Sequence, residues 1–469
     1  MSIDQKRLHR ALNPSSVAVV GDKGPGYTWL TNQENFTGEL YSVQLDEKEI
    51  PGIEEKGIAN FTSLKDIPGE VDLVICAVPR QVTPYVVADA IAKGAGGISM
   101  FTSGFAETRE PEGIALQEKL IEMCSEAGMP LVGPNCMGVY NRKLGVKFGG
   151  GLQHGDGGDI SVISQSGTHG IGMTNGAQSV GVKVRRTISF GNGIILNESD
   201  YLEYLMNDPE TPAIAMYLEG TKDGRRFFTL LREATKKKPV IVWKGGRSTA
   251  GTRAVNSHTG SLASSQSVWD AMLRQTGAIA VGSIEDAIDA IAGLVHTRQP
   301  TGRDVALIAM TGGQSVAITD QFERFGFNVP ELSQQSYDRL AEFFMTVGGS
   351  YRNPFDAAST IRSEAENLQK ILEIIADEPI ITGGVALEFR SRGYDKPEDL
   401  DEILDLLDDY RNRTNQPVIL VMPTHGVMTG DVAEAASVRD RAAERGFAVY
   451  PSFERGAQGL GWVVDHYTR

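Results

Sequence analysis

The sequence predicts an α/β protein made of three doubly wound modules, on the evidence of two regularities. Short apolar runs, typical of parallel strands buried on both faces, alternate with helical stretches along the chain. A strand followed by a glycine-containing turn and a helix start occurs three times, after the runs that begin at Val17, Ile160 and Val305. Because such alternation builds βαβ units, it predicts mostly parallel sheets with helices on both faces. A length of 469 residues, too long for one ordinary core, agrees with several domains.

Composition and charge exclude several classes of protein. Apolar residues make up 41% of the chain, which is ample for folded cores, and the formal net charge of −15 disfavours binding to nucleic acid or to an anionic membrane. The cysteines, Cys76, Cys124 and Cys136, have neither paired spacing nor a neighbouring histidine cluster of the zinc-ligand type. The N-terminus has no apolar core of a signal peptide, and no run approaches membrane-spanning length. We expect a soluble cytoplasmic protein without a metal site of its own.

The first module opens with the apolar run 17–20, after which Gly21, Gly24 and Gly26 precede a helix start. A strand, a glycine turn and a helix N-terminus together form a common phosphate cradle. A nicotinamide-binding domain is the competing interpretation, but the glycine spacing does not fit G-x-G-x-x-G. The second strand, which includes 41–45, also lacks the acidic residue that such domains use to bind ribose. The sequence therefore disfavours an NAD-dependent oxidoreductase.

Three more segments of the first module each follow the carboxyl end of a predicted strand. They are Val78-Pro79, the stretch 103–107, and the stretch 133–138. Open α/β sheets bind ligands at this edge, so the three segments predict a ligand site. Glycine-containing polar stretches at 149–158 and 296–302 separate the modules. The predicted domains are 1–148, 155–296 and 302–469.

A histidine among hydroxyls is the strongest chemical signal of the second module. His258 stands in the stretch 257–262, downstream of an apolar strand that leads into Lys244 and Arg247, and two cations at one loop suit an anion. A neutral imidazole is nucleophilic near neutral pH and can accept a phosphoryl group. Judged locally, a loop histidine that donates to a backbone carbonyl is the more common case, and it is the rest of the chain that favours the carrier.

Taken together, the motifs identify a family. They are Gly133-Pro134-Asn135-Cys136 with Gly138, Ser164-Gln165-Ser166-Gly167, Gly191-Asn192, Tyr217-Leu218-Glu219-Gly220, the stretch from Lys238-Pro239-Val240 to Lys244-Gly245-Gly246-Arg247, and Ser257-His258-Thr259-Gly260-Ser261-Leu262-Ala263. A chain with these motifs in this order closely resembles the α subunit of nucleoside-diphosphate-forming acyl-CoA synthetases. That group includes ADP-forming acetyl-CoA synthetase and, more distantly, succinyl-CoA synthetase. The resemblance covers nearly the whole chain.

The resemblance implies a ligase that works through a relay. Acyl-CoA and phosphate exchange for free acid, CoA and a phosphohistidine, which then phosphorylates ADP. It implies that His258 is the phosphorylated residue and that Glu219 hydrogen-bonds it. A carboxylate on one ring nitrogen fixes the tautomer and leaves the other nitrogen as the nucleophile.

The resemblance also implies a fold and two binding sites. The fold is an N-terminal Rossmann-like CoA-binding domain followed by two flavodoxin-like ligase domains. Two helix N-termini would hold the phosphate. The expected phosphate-binding residues are Ser166, Gly167, Gly260, Gly312 and Gly313. The expected CoA-binding residues are Gly21, Lys23, Gly24, Val78, Pro79, Asn135 and Cys136, with Asn135 and Cys136 nearer the thiol end.

The resemblance further implies a partner. No ATP-grasp module is visible in the sequence, so we expect a separate ATP-grasp β subunit that binds ATP or ADP with Mg²⁺, in an α2β2-type hetero-oligomer. The substrates would be CoA and a small carboxylic acid. The sequence does not identify the acid, and it leaves ADP and GDP both open. A non-catalytic protein that binds CoA or acyl-CoA with the same fold is the alternative, against which the intact His258 and Glu219 speak.

Some positions depart from the family pattern. Relatives usually carry Gly-Ala-Ser after the first strand, where this chain has Gly21-Asp22-Lys23, and Asn-Pro after the second strand, where it has Gln44-Leu45. An aspartate beside CoA phosphates would repel them unless Lys23 offsets its charge. His169 stands where relatives mostly carry a small or apolar residue, and it either contacts the phosphate or the acyl carboxylate or shapes the acyl pocket. The usual Asn of the third module's Thr-Asn-Ala-Gly-Gly is also missing before Gly312-Gly313.

Overall fold

Three mostly parallel sheets organise the computed structural model of the chain. It describes residues 4–251, 253, 265–363, 366–389, 397–423 and 432–469. The chain divides into two compact units, of which the first comprises Met1–Gln178 with Lys183–Ile284 and the second Ser179–Val182 with Glu285–Arg469. The first unit contains two of the sheets and the second unit contains the third.

The first sheet has the strand order of a Rossmann fold. Its parallel strands are β1 (Ser16–Val20), β2 (Glu39–Val43), β3 (Ala59–Phe61), β4 (Leu73–Cys76), β5 (Gly97–Met100) and β6 (Leu131–Val132). Their order across the sheet is β3-β2-β1-β4-β5-β6, so the direction of winding reverses between β1 and β4. All residues of β1, β4 and β5 are buried, which explains their unbroken apolar runs.

The helices of this module are α1 (Gln5–Leu12), α2 (Thr28–Thr31), α3 (Ile50–Glu54), α4 (Thr83–Lys93) and α5 (Pro111–Ala127). The helix expected after the first glycine turn is thus a single turn, α2. Helices α4 and α5 are longer, and each ends at a glycine in the left-handed conformation, Gly94 and Gly128.

The second sheet has the strand order of a flavodoxin-like fold with one added edge strand. Its strands are β7 (Gly138–Asn141), β8 (Ile160–Ser164), β9 (Val184–Ser189), β10 (Ile214–Leu218), β11 (Val240–Lys244) and β12 (Ile279–Val281). Their order is β12-β11-β10-β8-β9-β7, and only β7 runs antiparallel, beside β9. The residues of β7, which the predicted boundary places in the first domain, therefore hydrogen-bond to the second sheet.

The helices that follow the strands of this sheet along the chain are α6 (Gly167–Ser179), α7 (Glu198–Asn207), α8 (Gly224–Lys237), α9 (Gln266–Thr276) and α10 (Ile284–His296). Apart from Ile284, α10 belongs to the second compact unit. Without β7, the winding reverses between β8 and β10, as the flavodoxin-like order requires.

The third sheet repeats the flavodoxin-like order. Its strands are β13 (Val305–Ala309), β14 (Phe355–Asp356), β15 (Gly384–Glu388), β16 (Val418–Val421) and β17 (Ala448–Tyr450), arranged β14-β13-β15-β16-β17 and all parallel. Its helices are α11 (Gly312–Arg324), α12 (Gln334–Ala341), α13 (Ala358–Ser363), α14 (Glu366–Ala376), α15 (Pro397–Thr414), α16 (Val432–Glu444) and α17 (Phe453–Tyr467). The predicted fold class is confirmed in all three modules. Within the described ranges, no helix combines the length and the apolar character needed to cross a membrane.

A buried ion pair joins β9 to the turn after α7. The Arg186 side chain is 1% exposed and donates to the Asp208 carboxylate, whose side chain is 9% exposed, and to the Asn13 side-chain oxygen. Removing one partner leaves the other charge buried without compensation. The pair therefore matters more than the exposed pairs at the surface.

We expect Arg186→Ala to lower the free energy of unfolding by about 3 to 5 kcal/mol, since Asp208 would keep its buried charge. Differential scanning calorimetry of the full chain measures the change. The matched control is Lys143→Ala, which removes a half-exposed pair with Glu210 in the same region and should change stability by about 1 kcal/mol or less. Equal effects of the two substitutions would contradict this account.

Candidate active site

The first switch point brings together two segments that the sequence had marked. The loops after β1 and β4 meet there, and Gly21 adopts φ +83°. A Cβ atom at Gly21 would lie 2.4 Å from Val78 Cγ1, so only glycine lets the two loops approach this closely. Gly21 and Val78, both predicted to bind CoA, are therefore neighbours.

A cleft of about 380 Å³ opens beside this contact. The residues that line it include Gly21, Lys23, Gln44, Leu45, Val78, Pro79, Val82 and Tyr85. Leu45, Val82 and Tyr85 are large apolar side chains that are exposed around it. The charged residues of its lining are Lys23, Asp46 and Asp89, and the rest is mostly apolar. A mostly apolar cleft of this size suits an organic ligand.

Asp22 and Gln44, two of the departures from the family pattern, contact each other at the loop after β1. Asp22 is buried, and its carboxylate accepts hydrogen bonds from the backbone N–H groups of Leu30 (2.8 Å) and Lys23 (3.0 Å). Burial raises the pKa of Asp22 above its usual range. Gln44 donates to the Asp22 carbonyl at 2.7 Å and so ties the loops after β1 and β2 together.

Acceptors within the protein already use N–H groups that the glycine turn was expected to offer to a phosphate. Backbone N–H groups of Lys23 and Leu30 already have a carboxylate acceptor in Asp22, and the Gly24 N–H donates to Glu49 Oε2 at 3.0 Å. The exposed Lys23 side chain is therefore the source of positive charge that this turn directs to the cleft.

The segment after β6 packs against the loop after β9. The Asn135 N–H donates to the Thr102 carbonyl at 2.9 Å, and the Asn192 N–H donates to the Pro134 carbonyl at 3.0 Å. Gly191 adopts φ +52°, and a Cβ atom there would lie 2.1 Å from the Asn135 carbonyl oxygen. Glycine at 191 is thus what allows the two loops to interlock.

Side-chain amides continue this contact. Asn135 Nδ2 donates to Asn192 Oδ1 at 3.4 Å, and Asn192 Nδ2 donates to Glu107 Oε2 at 2.6 Å. Glu107 and Asn192 were not among the predicted site residues. Both follow strands at the ligand-binding edge, and that position was the available signal.

Cys136 is a packed thiol. It is buried, its Sγ donates to the Met100 carbonyl at 3.4 Å, and burial raises its pKa to about 12. A cysteine that stays protonated near neutral pH is a poor nucleophile. Its contribution to the loop is therefore one of packing.

The second switch point holds the predicted glutamate. Glu219 directly follows β10 and is 5% exposed. Gln165, which follows β8, accepts hydrogen bonds through Oε1 from the N–H groups of Glu219 (2.8 Å) and Gly220 (3.2 Å). The Tyr217 hydroxyl donates to Glu219 Oε1 at 3.4 Å. The start of α6, next to Gln165 in sequence, therefore lies at the same edge of the sheet as Glu219.

The predicted phosphate-binding residues Ser166 and Gly167 stand at that helix start. A Cβ atom at Gly167 would lie 2.7 Å from Met137 Cγ, so the helix begins in close contact with the segment that follows Asn135 and Cys136. The structure thus brings the start of α6 next to the segment expected at the thiol end of CoA.

A buried lysine balances the charge of Glu219. Lys244 ends β11, in register with Leu218, and burial lowers its pKa while the nearby Glu219 opposes that shift. The Lys244 ammonium donates to the Gly245 carbonyl and lies 5.3 Å from the centroid of the Trp269 ring. Two opposite charges at neighbouring strand ends reduce the free energy needed to bury either one.

His169 belongs to an aromatic cluster beside this site. Its ring centroid lies 4.3 Å from that of Tyr217 and 4.6 Å from that of Trp243, and those two rings are themselves 4.6 Å apart. Burial lowers the pKa of His169, which favours the neutral imidazole. The cluster is therefore a mainly apolar surface next to the buried glutamate.

The third module presents a second helix start of the predicted type. Gly312 and Gly313 are exposed at the beginning of α11, and the Thr311 hydroxyl caps the helix by accepting from the Gln314 N–H at 3.3 Å. Glu388 ends β15, the strand that corresponds in order to β10, and its Oε2 accepts from the Met310 N–H at 2.7 Å. The strand end and helix start in this module thus parallel those of the second.

His258 and Gly260 lie outside the described residues, so their predicted roles rest on the sequence. The described ranges contain no group of three His, Cys, Asp or Glu side chains that could hold a metal ion.

Comparison with known proteins identifies the family. Residues 15–142 match the model of a CoA-binding domain, and residues 157–294 match that of the succinyl-CoA ligase like flavodoxin domain. The alpha subunit of acetate–CoA ligase [ADP-forming] I from Pyrococcus furiosus is 31% identical over 98% of this chain and 99% of its own length. The alpha subunit of acetate–CoA ligase [ADP-forming] II from the same organism is 34% identical over 75% of this chain and 76% of its own length.

A solved structure extends the likeness to the whole fold. The dinucleotide-forming acetyl-coenzyme A synthetase 1 of Ca. Korarchaeum cryptofilum, in complex with phosphate and ADP, has a TM-score of 0.84 and 27% identity, over 98% of this chain and 96% of that chain. A CoA-binding domain followed by a succinyl-CoA ligase like flavodoxin domain places the chain in the class of CoA ligases. This chain belongs to the family of ADP-forming acetate–CoA ligase alpha subunits. The predicted family is confirmed.

The interlocked loops at Gly191 give a test of the geometry. We expect Gly191→Ala to lower the free energy of unfolding by at least about 2 kcal/mol, because a side chain must adopt a left-handed backbone and also displace the Asn135 carbonyl. Gly57→Ala is the matched control, since Gly57 has φ +76° with nothing within 4 Å of the added atom. Thermal unfolding that shows no larger loss for Gly191→Ala than for Gly57→Ala would contradict the steric argument.

Proposed function

We propose that this chain is the α subunit of an acyl-CoA synthetase that forms ADP, and that it interconverts acid, CoA and ATP with acyl-CoA, ADP and phosphate. The observation that carries the proposal is the buried Glu219, held at the second switch point by Gln165 beside the start of α6. A buried carboxylate next to a helix N-terminus suits a site in which a neutral base and a phosphoryl group meet. The names of the relatives support the proposal, because an ADP-forming acetate–CoA ligase must transfer a phosphoryl group from ATP.

In this proposal His258 carries the phosphoryl group between two half-reactions. An imidazole nitrogen of His258 attacks the γ-phosphorus of ATP, and ADP leaves. The acid's carboxylate oxygen then attacks the phosphorus of the phosphohistidine, which gives an acyl phosphate and frees the imidazole. The CoA sulfur attacks the acyl carbon, phosphate leaves, and the thiol proton goes to the phosphate. Every step is reversible, so the direction depends on concentrations.

Glu219 is assigned the task of orienting His258. A carboxylate that accepts from one ring nitrogen fixes the tautomer, and it stabilises the cation that forms on phosphorylation. The fixed backbone of Glu219, its Tyr217 hydrogen bond and the neighbouring Lys244 all support a carboxylate held ready in one position. Preorganisation of this sort is what transition-state stabilisation requires.

The phosphate cradle is assigned to glycine-rich helix starts and to the histidine loop. Its residues are Ser166, Gly167, Gly260, Gly312 and Gly313. The exposed amides at the start of α11 and the start of α6 beside Glu219 support this assignment, because helix N-termini favour phosphate. In a chain of net charge −15, such local donors are needed to attract an anion.

CoA is assigned to the cleft of the first sheet. Gly21, Lys23, Gly24, Val78 and Pro79 would meet its nucleotide end, with Lys23 as the cation. Asn135 would meet its thiol end, and Cys136 would support that loop by packing. The domain 1–148 would bind CoA, the domain 155–296 would carry the phosphohistidine, and the domain 302–469 would contribute the second helix start of the phosphate site.

His169 is assigned to the acyl pocket. A neutral imidazole packed against the rings of Tyr217 and Trp243 presents an apolar surface beside Glu219, which supports contact with the acyl chain over contact with the phosphate. The acetate named for the relatives makes a small carboxylic acid the substrate class. The nucleotide with its Mg²⁺ is assigned to an ATP-grasp β subunit, in an α2β2-type assembly in the cytoplasm.

His258→Asn should abolish labelling of the chain by radioactive phosphate in the presence of acyl-CoA, because asparagine has no nucleophilic nitrogen at that position. The label on the wild-type chain should be stable in base and labile in acid, as a phosphohistidine is. Calorimetric titration should show that His258→Asn still binds CoA. Persistence of the label in this variant, or its appearance on His169 in a wild-type peptide map, would overturn the assignment. CoA binding by a wild-type chain that never labels would favour a non-catalytic CoA-binding protein.

Glu219→Gln should slow the same labelling step by roughly 100-fold or more, the scale of losing one positioned catalytic group. Rapid-quench labelling measures the rate. Glu203→Gln is the matched control, since Glu203 pairs with Arg226 at the surface of the same module. A Glu219→Gln rate within a few-fold of the control would remove Glu219 from the proposed catalytic pair.

ATP-dependent formation of acyl-CoA should require a second polypeptide. We expect the purified chain to exchange phosphate with acyl-CoA but to make thioester from acetate, CoA and ATP only after its partner is added. Co-purification followed by a screen of small acids measures both the requirement and the specificity. Full turnover by the chain alone would contradict the assignment of the nucleotide site to a partner.

A further inference from the structure

We infer that Glu107 and Asn192 are positioning residues that make Asn135 present its carbonyl oxygen, and not its amino group, to the pantetheine end of CoA. The inference rests on the proposed function, in which Asn135 meets that end of CoA. It adds Glu107 and Asn192 to the site assigned to the thiol end of CoA, and it gives the direction of each hydrogen bond between their side chains.

Glu107 starts the chain of hydrogen bonds. Its Oε1 accepts from the Gly104 N–H at 2.6 Å, both of its oxygens lie 3.1 Å from the Phe105 nitrogen that donates to them, and its Oε2 accepts from Asn192 Nδ2 at 2.6 Å. The backbone donors fix the carboxylate in one orientation. A carboxylate can only accept, so whatever faces its Oε2 must be a donor.

This requirement determines the orientation of the next two amides. Asn192 must direct Nδ2 at Glu107, where Gln117 Oε1 lies within 3.5 Å as a second acceptor. The Oδ1 atom of Asn192 then faces Asn135, whose Nδ2 donates to it at 3.4 Å. Each amide has one donor end and one acceptor end. The end of the chain is therefore Asn135 Oδ1, an acceptor.

The backbone prevents the amides from relaxing away from this order. Asn192 is buried, and its N–H is held by the Pro134 carbonyl at 3.0 Å. Asn135 adopts φ +57°, and its N–H is held by the Thr102 carbonyl at 2.9 Å. Gly191 leaves no space between the two loops. Reversing one amide would oppose two donors or two acceptors, which is unfavourable in a site that is partly buried.

The order of the chain predicts what it recognises. The pantetheine arm of CoA offers amide N–H groups and a terminal S–H, and an acceptor oxygen can bind either type of donor. A presented amino group would instead bind the carbonyl oxygens of the same arm and would shift the thiol along the site. The polarity set by Glu107 therefore fixes the position at which the thiol stands.

Substitutions that reverse and then restore the polarity test this inference. In Glu107→Gln the oxygen can still accept from Gly104, but the amino group now faces Asn192 and forces both asparagines to turn over. We expect the full chain to bind CoA at least roughly tenfold more weakly in calorimetry, the scale of one hydrogen bond replaced by a mismatch. Asn192→Asp alone should also weaken binding, because it opposes two carboxylates. The double variant Glu107→Gln/Asn192→Asp lets the new amino group donate to an aspartate that in turn accepts from Asn135, so binding should return to within about threefold of wild type.

Rescue in the double variant is a result that a purely structural role would not give. Glu112→Gln, a surface residue paired with Arg80, is the control and should leave CoA affinity unchanged. Desulfo-CoA then identifies the donor: a deficit of Glu107→Gln that persists assigns an amide N–H, and one that vanishes assigns the S–H.

Unchanged CoA affinity in both single variants, or a double variant that binds more weakly than either one, would overturn the inference. If Glu107→Gln fails to fold, comparison of Asn192→Asp with the double variant makes the same test. If the wild-type chain itself does not bind CoA, the proposed function fails and the inference falls with it.

Discussion

The structure of the second module depends on burying the carboxylate of Glu219 at the end of β10. Burial of Glu219 is unfavourable unless charge and hydrogen bonds compensate it. Gln165 fixes its backbone from the strand on one side, and Lys244 supplies the opposite charge from the strand on the other. Tyr217 adds a hydroxyl from the same strand. The compensation depends on the strand order, because only neighbouring parallel strands end at one edge with their side chains in register.

The same edge shows why glycine occurs where it does. Gly21, Gly167 and Gly191 each stand where a Cβ atom would lie within 3 Å of another loop. At Gly21 the neighbour is the loop after β4, at Gly167 the segment after Cys136, and at Gly191 the Asn135 carbonyl. The approaches at Gly167 and Gly191 join the segment after β6 of the first sheet to the strand ends of the second sheet within one compact unit. Close contact between loops thus gives these glycines a reason beyond conformational freedom.

The sequence predicts features that depend on residues close together along the chain, and it misses those that depend on distant residues. Apolar runs and glycine turns are local, and they predicted strands in each of the three sheets and the confirmed fold class, but not the strands β3, β7, β9, β12, β14 and β17. Asp22 looked unfavourable beside CoA phosphates, and only the structure shows that its carboxylate is buried and accepts from the backbone N–H groups of Lys23 and Leu30. Leu30 of α2 donates to the same carboxylate, and the pairing of β7 with β9 joins residues 45 to 51 positions apart, which no local pattern contains. The site residues stay predictions where they rest on the motif alone, as His258 does.

The two flavodoxin-like modules suggest how one architecture serves two tasks. Glu219 and Glu388 end corresponding strands, yet Glu219 accepts from Tyr217 and has Lys244 nearby, whereas Glu388 accepts from the backbone of Met310 next to a helix start. To orient an imidazole, a carboxylate needs an oxygen that can accept from the ring and a nearby cation that stabilises its negative charge. A carboxylate that accepts a backbone N–H at the turn before α11 instead helps to hold the loop that leads to Gly312 and Gly313. Both switch points thus have an acidic residue at a strand end, and the groups around that residue differ between the two modules.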